Sequence, residues 1–391
     1  MLRSARRLAV SATALALCAA TGAAASTTGS SAPAQGAARL TAPTTSKLAA
    51  ARAAGTSLTP PAPPCPLPAL GAVGPCVSVP ETPAFGEPVP GNMAYYGGRV
   101  QVHPRVYLVY LGWGRPGAFT AACAPRTLSE GTIRATLKCD PDGAGKRMAD
   151  FVSQLGGTPW AGLQSQYFQV VNGKQTFISN DRNQLGGIWV DDASPTSAKL
   201  TYHQMAAEAG RAVAHFHITD LWNSNVVIVQ PQKFSDPQAQ SVGYCAFHDI
   251  TNATVDPTDY KGVTQGVVWT NMPYVLNQGS GCGENLVNAG AAGRLDGFTL
   301  ALGHEIEEAV TDPGAEDRVN GTAIGGWYDP FDGNENGDKC AYVGLLDPTQ
   351  PGAAANITGN RGGTFPVQSL WSNKAAAGAG FCAGTKYDLG F

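Results

Sequence analysis

Beyond its N-terminal segment this sequence has no apolar run approaching about 18 residues, so its body offers no helical membrane span. It has no CxxC pair, which argues against thiolate-bound zinc. No GxSxG elbow occurs, which leaves a serine hydrolase without its nucleophile turn. The GxxxxGK[ST] phosphate loop is missing too, and no internal repeat is visible. Basic residues are outnumbered, with 26 Lys and Arg against 29 Asp and Glu and a net charge of −3. Nucleic acid is therefore a poor fit as partner.

The chain opens with Arg3, Arg6 and Arg7, runs apolar from Leu8 to about Ala20, and reaches small residues at Ala23 to Ala25. This is the pattern of a secretory signal over 1–25, and a secreted, extracellular product is the expectation. Cleavage there removes three arginines and no acid, taking −3 to −6. From Ser26 to Asn92 the composition is Ala, Ser, Thr, Gly and Pro, including Pro60 to Pro64 with one Ala, and reads as a tether or propeptide. A single globular domain, catalytic or binding, is expected over 93–391.

Cys18 leaves with the signal, and Cys65, Cys76, Cys123, Cys139, Cys245, Cys282, Cys340 and Cys382 remain. An even number in an exported chain points to disulfides. Short spacings favour Cys65 with Cys76 and Cys123 with Cys139, which leaves Cys245 with Cys282 and Cys340 with Cys382.

Arg105 to Leu111, Val226 to Val229 and Val267 to Thr270 read as buried strands, while Lys146 to Leu155, Tyr202 to Phe216 and Leu295 to Val310 have helical spacing. The expected fold class is α/β: a mixed, mostly buried sheet covered by helices, with long disulfide-held loops around Gly321 to Gly326 and Gly359 to Gly363.

The chemistry concentrates in the last of those helices. Phe298, Ala301, Leu302, Ile306, Ala309 and Val310 give it a core face, and Pro313 ends it. At about 100° per residue, His304 and Glu308 stand one turn apart on one side, with Asp312 a turn further and Glu305 beside His304. The spacing is that of the zinc helix HExxH with its second His replaced by Glu. Imidazole nitrogen and carboxylate oxygen both bind Zn²⁺ at about 2.0–2.2 Å, so the exchange keeps a site and makes it harder. HExxE alone is a weak pattern, and His304 could instead cap a neighbouring carbonyl. Yet burying these groups without a counter-charge costs several kcal/mol, and no Lys or Arg follows Arg294 in the helix.

The expected roles are His304 and Glu308 as metal ligands, Glu305 as the catalytic base toward water, and Asp312 or Asp338 as third ligand. His248 is held in reserve. A separate pattern, Asp332-x-Asn334-x-Asn336-Gly337, matches the start of an EF-hand calcium loop, but its twelfth position is Val343 where a bidentate Glu belongs. His215 and His217 read as a structural pair.

The order Tyr110-Leu111-Gly112-Trp113-Gly114, the strand over 225–230, Gly243 to His248, and a helix closing in Thr311-Asp312-Pro313 with Gly326-Trp327-Tyr328 beyond it resembles the Exordium (phosphate-induced protein) family across roughly 100–391. The resemblance implies an extracellular protein of a family linked to plant growth and without an established reaction. This chain departs from the plant members in its complete His304, Glu305 and Glu308, which makes zincin-like microbial relatives the nearer comparison. Two functions stand as expectations: a secreted metal-dependent hydrolase, a zinc peptidase acting as a monomer on protein or peptide substrates, or a non-enzymatic extracellular binding or signalling protein with a structural ion or none.

Overall fold

A computed structural model describes residues 38–41, 87–120, 137, 139–194, 199–234, 244–254, 257–314, 318–319, 322–323, 325–331, 333–345 and 347–385. The expected signal segment lies outside them, as do Cys65, Cys76, Cys123 and Asp332.

The centre is a mixed sheet. Its strands are β1 (Ala38–Thr41), β2 (Arg105–Leu111), β3 (Leu185–Asp191), β4 (Ser224–Val229), β5 (Tyr244–Ile250) and β6 (Val268–Met272). Five of them run β5-β6-β4-β2-β3 in space, and β1 adds to the β5 edge. β3, β2, β4 and β6 are parallel, with Val109 opposite Trp189 on one side and Ile228 on the other. β5 is antiparallel to β6, and β1 to β5, with Ala38 opposite His248. The tether read over 26–92 thus contributes one strand, and its far end docks as well, Val89 N–H donating to Lys339 O at 2.9 Å.

Strands buried on both faces explain the near-continuous apolar runs of β2 and β4. Alternation then sorts the side chains. Leu108, Tyr110, Val190, Val227 and Val229 pack toward α1 (Ala144–Leu155) and α4 (Asp296–Thr311) through Phe151, Phe298, Leu302 and Ile306. Val109, Leu111, Val226 and Ile228 meet Met205, Ala206, Ala209 and Ala212 on the opposite face. Those four belong to α3 (Tyr202–Phe216), whose start is fixed by a Thr201–Gln204 capping box. The remaining described α-helix, α2, is a single turn at Pro159–Gly162.

The expected mixed α/β class is present, and its predicted helices and strands fall within a few residues of their observed bounds. The predicted strand at 267–270 runs instead to Met272, and α4 extends one residue further to Thr311 before Asp312 leaves helical geometry at φ −142°. Hairpins were not foreseen. Phe168–Val171 and Lys174–Phe177 pair across Asn172-Gly173, both at positive φ (52° and 74°), the turn that Asn-Gly dictates. The glycine-rich stretch 359–363 closes a hairpin between Ala355–Thr358 and Thr364–Val367. Disulfides join Cys245 to Cys282 and Cys340 to Cys382, as the spacing argument expected. Cys139 is disulfide-bonded too. Among the described residues no helix is long and apolar enough to cross a membrane.

Candidate metal centre

All sixteen residues of α4 are buried, its polar ones included. The helix lies between β5 of the sheet and the hairpin strand Thr364–Val367, with α1 beside it. The glycine at 303 permits the last contact, since a Cβ there would stand 3.1 Å from Trp160 and 3.2 Å from Phe151. A helix enclosed this way carries His304, Glu305, Glu307 and Glu308 into the interior, each no more than 1 % exposed.

His304 Nε2 lies 3.0 Å from Glu308 Oε2 and 3.5 Å from Asp338 Oδ1. Its other ring nitrogen, Nδ1, is 3.2 Å from Gln368 Oε1, whose amide donates in turn to Gly337 O at 2.7 Å. An amide oxygen can only accept, so Nδ1 carries a proton, and Nε2 is the nitrogen whose lone pair a cation would take in place of a second ring proton. That lone pair and Glu308 Oε2 are both buried, and neither has a hydrogen-bond partner. Glu308 Oε1, by contrast, accepts the Asp338 N–H at 2.8 Å.

The spacing is informative. Two donors each about 2.0–2.2 Å from one ion stand roughly 3.0–3.6 Å apart for angles of about 90–110°. The separations of 3.0 and 3.5 Å fall in that range. Nitrogen and oxygen lone pairs that face each other without a proton repel, and a cation between them reverses the sign.

A second group adjoins the first through Glu308. His248, on the α4-facing side of β5, brings Nδ1 to 3.1 Å from Glu305 Oε2 and 3.8 Å from Glu308 Oε2, while Nε2 lies 3.7 Å from Glu335 Oε1. Nε2 also donates to the Asp312 carbonyl at 2.8 Å. That carbonyl is available because the helix ends at Thr311, so no following turn of α4 supplies it with an N–H. His304, Glu308 and Asp338 form one set whose donor atoms all lie within 4.8 Å of one another, and His248, Glu308 and Glu335 form another. These buried groups could hold a metal ion.

Electrostatics describe the same deficit of positive charge. Burial pushes the Glu308 carboxyl up to about 7 against the pull of His304. Burial and the neighbouring charges of Glu308, Asp312 and Asp338 hold Glu335 well above the carboxylate range. Burial lowers both imidazoles, but the surrounding carboxylates outweigh it: Glu308 raises His304 well above its ordinary value, and Glu305 raises His248 to about 9.

The predicted residues are therefore distributed as follows. His304, Glu308 and Asp338 meet. Glu305 lies against His248 rather than in that set. Asp312 turns away: its Oδ1 accepts from Gly326 N–H at 3.0 Å and Gly314 N–H at 3.3 Å, closing the loop behind the helix. Of the expected calcium residues, Asp332 is outside the described residues, Asn334 O accepts from Asp329 N–H, and Asn336 points inward, its amide donating to Gln164 and to Glu307 O. His215 stacks on Trp189 at 4.1 Å, and His217 ends α3 at φ 55°. Sequence reasoning placed His248 only in reserve and assigned no role to Glu335 or Gln368. The motif signals only what lies within one helix.

No family model, no curated protein and no solved structure matches this chain.

Proposed function

We propose that this is a secreted, metal-dependent hydrolase of zincin-like type, acting on peptide bonds, with His304, Glu308 and Asp338 holding the cation. The observation that carries the reading is the pair of buried, unpartnered donor atoms on His304 and Glu308, with Asp338 completing the set. One imidazole and two carboxylates suit zinc, with manganese as the harder alternative. Three protein donors leave a coordination position open, as catalytic sites do and structural ones do not. Asp338, with its side chain 22 % exposed, marks the side from which a substrate reaches the site.

When bound, the cation supplies Lewis acidity toward a carbonyl and brings the acidity of water toward neutral pH. The chain supplies the rest. Gln368 fixes the His304 tautomer, and the Asp338 N–H fixes one oxygen of Glu308. Glu305, oriented by the His248 ring, is the acceptor for the proton that water gives up and becomes neutral on taking it. The disulfides and the N-terminal segment support export.

The test is hydrolysis of an unfolded protein by material purified without a polyhistidine tag. Activity should vanish on chelation, return with Zn²⁺, and fall about 10²–10⁴-fold in Glu305→Gln while metal content is unchanged. A protein without metal would remove the reading altogether. A second reading, an Exordium-like extracellular binding protein with a structural ion, is favoured by the complete burial of His304 and Glu308. A metal-loaded but inert wild type selects it.

A further inference from the structure

We infer that the centre takes two divalent cations, bridged by Glu308. The inference deepens the proposed metal site and rests on it. Glu308 belongs to both donor sets, His304/Glu308/Asp338 and His248/Glu308/Glu335. Its free oxygen, Oε2, stands 3.0 Å from His304 Nε2 and 3.8 Å from His248 Nδ1, between two imidazoles on different elements. That oxygen is buried and without a hydrogen-bond partner, as is Oε2 of Glu335, which is 5 % exposed. A mononuclear site explains the first orphan and leaves the second.

The histidines are prepared alike. Gln368 engages His304 Nδ1 and so turns the Nε2 lone pair inward. The Asp312 carbonyl accepts from His248 Nε2 and so leaves Nδ1, which shares its proton with Glu305 at 3.1 Å and lies 3.8 Å from Glu308, as the nitrogen a cation would take in place of that proton. A hydrogen-bond acceptor on the far nitrogen is the usual arrangement of a metal-ligating imidazole. It occurs here twice, on α4 and on β5.

Charge points the same way. Among the described residues, the ion-pair partners of Glu308, Glu335 and Asp338 are histidines. With both imidazoles neutral as ligands, these three carboxylates and Glu305 would, once ionised, balance the charge of two divalent ions. Carboxylate-bridged pairs of ions about 3.5–4 Å apart are an established hydrolytic arrangement, so the second ion is consistent with the proposed chemistry.

Elemental analysis of the full chain, loaded with Zn²⁺ and desalted, should give two ions per chain. Glu335→Gln should reduce this to one, Asp338→Asn should also leave one, and Glu308→Gln should lose both. Loading the wild type with Mn²⁺ should give an exchange-coupled electron paramagnetic resonance spectrum, a readout that does not depend on any variant folding. One ion per chain with an uncoupled six-line Mn²⁺ signal overturns the bridge and leaves the mononuclear reading intact. Two ions unaffected by Glu335→Gln overturn the assignment of the second site. No ion at all removes both readings together.

Discussion

Gly337 shows how little room the site leaves at the level of a single residue. Its backbone is ordinary, at φ −77° and ψ −44°, so conformation does not demand glycine. Space does: a Cβ would stand 2.7 Å from His304 Nδ1 and 2.9 Å from Glu308 Oε1. Gly337→Ala must displace one of these two proposed ligands while leaving the fold nearly untouched. The expected result is a metal affinity lower by about 10–100-fold, the range found when ligand orientation is disturbed, with little change in urea midpoint. Competition against a chromogenic chelator measures it.

Elements supply the donors, and each does so for a local reason. α4 carries two because i and i+4 face alike, β5 presents His248 because alternation puts it on the α4 side, and the loop at 335–338 is tied down by the adjoining Cys340–Cys382 bridge. Replacing both Cys340 and Cys382 with Ser should cost about 2–5 kcal/mol and release the loop that carries Glu335 and Asp338. Metal should then exchange faster by isotope chase even at temperatures where circular dichroism stays native.

α3 makes a separate prediction. Glu208 is fully buried beside Asp191, and burial followed by the Asp191 charge raises its carboxyl to about 7, although Arg211 opposes the shift. The folded state therefore keeps a proton that the unfolded chain, near the ordinary 4.5, has released. This contribution favours folding below the unfolded value and is lost as pH rises through about 7. Between pH 5 and 8 wild type should lose on the order of 1–3 kcal/mol more than Glu208→Gln does, read from urea denaturation at each pH.

For the whole molecule, the candidate centre brings together three parts of the chain: strand β5, the buried helix and the loop beside the Cys340–Cys382 disulfide. An ion that binds only the folded state stabilises it by mass action, about 4 kcal/mol at a thousandfold excess over Kd. Removing it also leaves the carboxylates of Glu308, Glu335 and Asp338 facing one another. Chelation should lower the melting temperature by roughly 8–15 °C at the 2–4 °C per kcal/mol typical of a domain this large, and Zn²⁺ should restore it. An unchanged melting curve would show that the cluster is held by hydrogen bonds alone.

The sequence by itself determined the elements and half of the candidate centre. β2, β4, α3 and α4 were legible because apolar periodicity and capping act over a few residues, and His304 with Glu308 was legible because one helical turn aligns them. The Cys245–Cys282 and Cys340–Cys382 pairs followed from spacing. Only tertiary structure decided that Asp338 rather than Asp312 closes the set around His304, because Pro313 turns the chain and Asp312 is spent on the Gly314 and Gly326 amides. Only tertiary structure brought His248, Glu335 and Gln368 to Glu308, because the burial that drives them together acts between distant segments and leaves no local pattern to read.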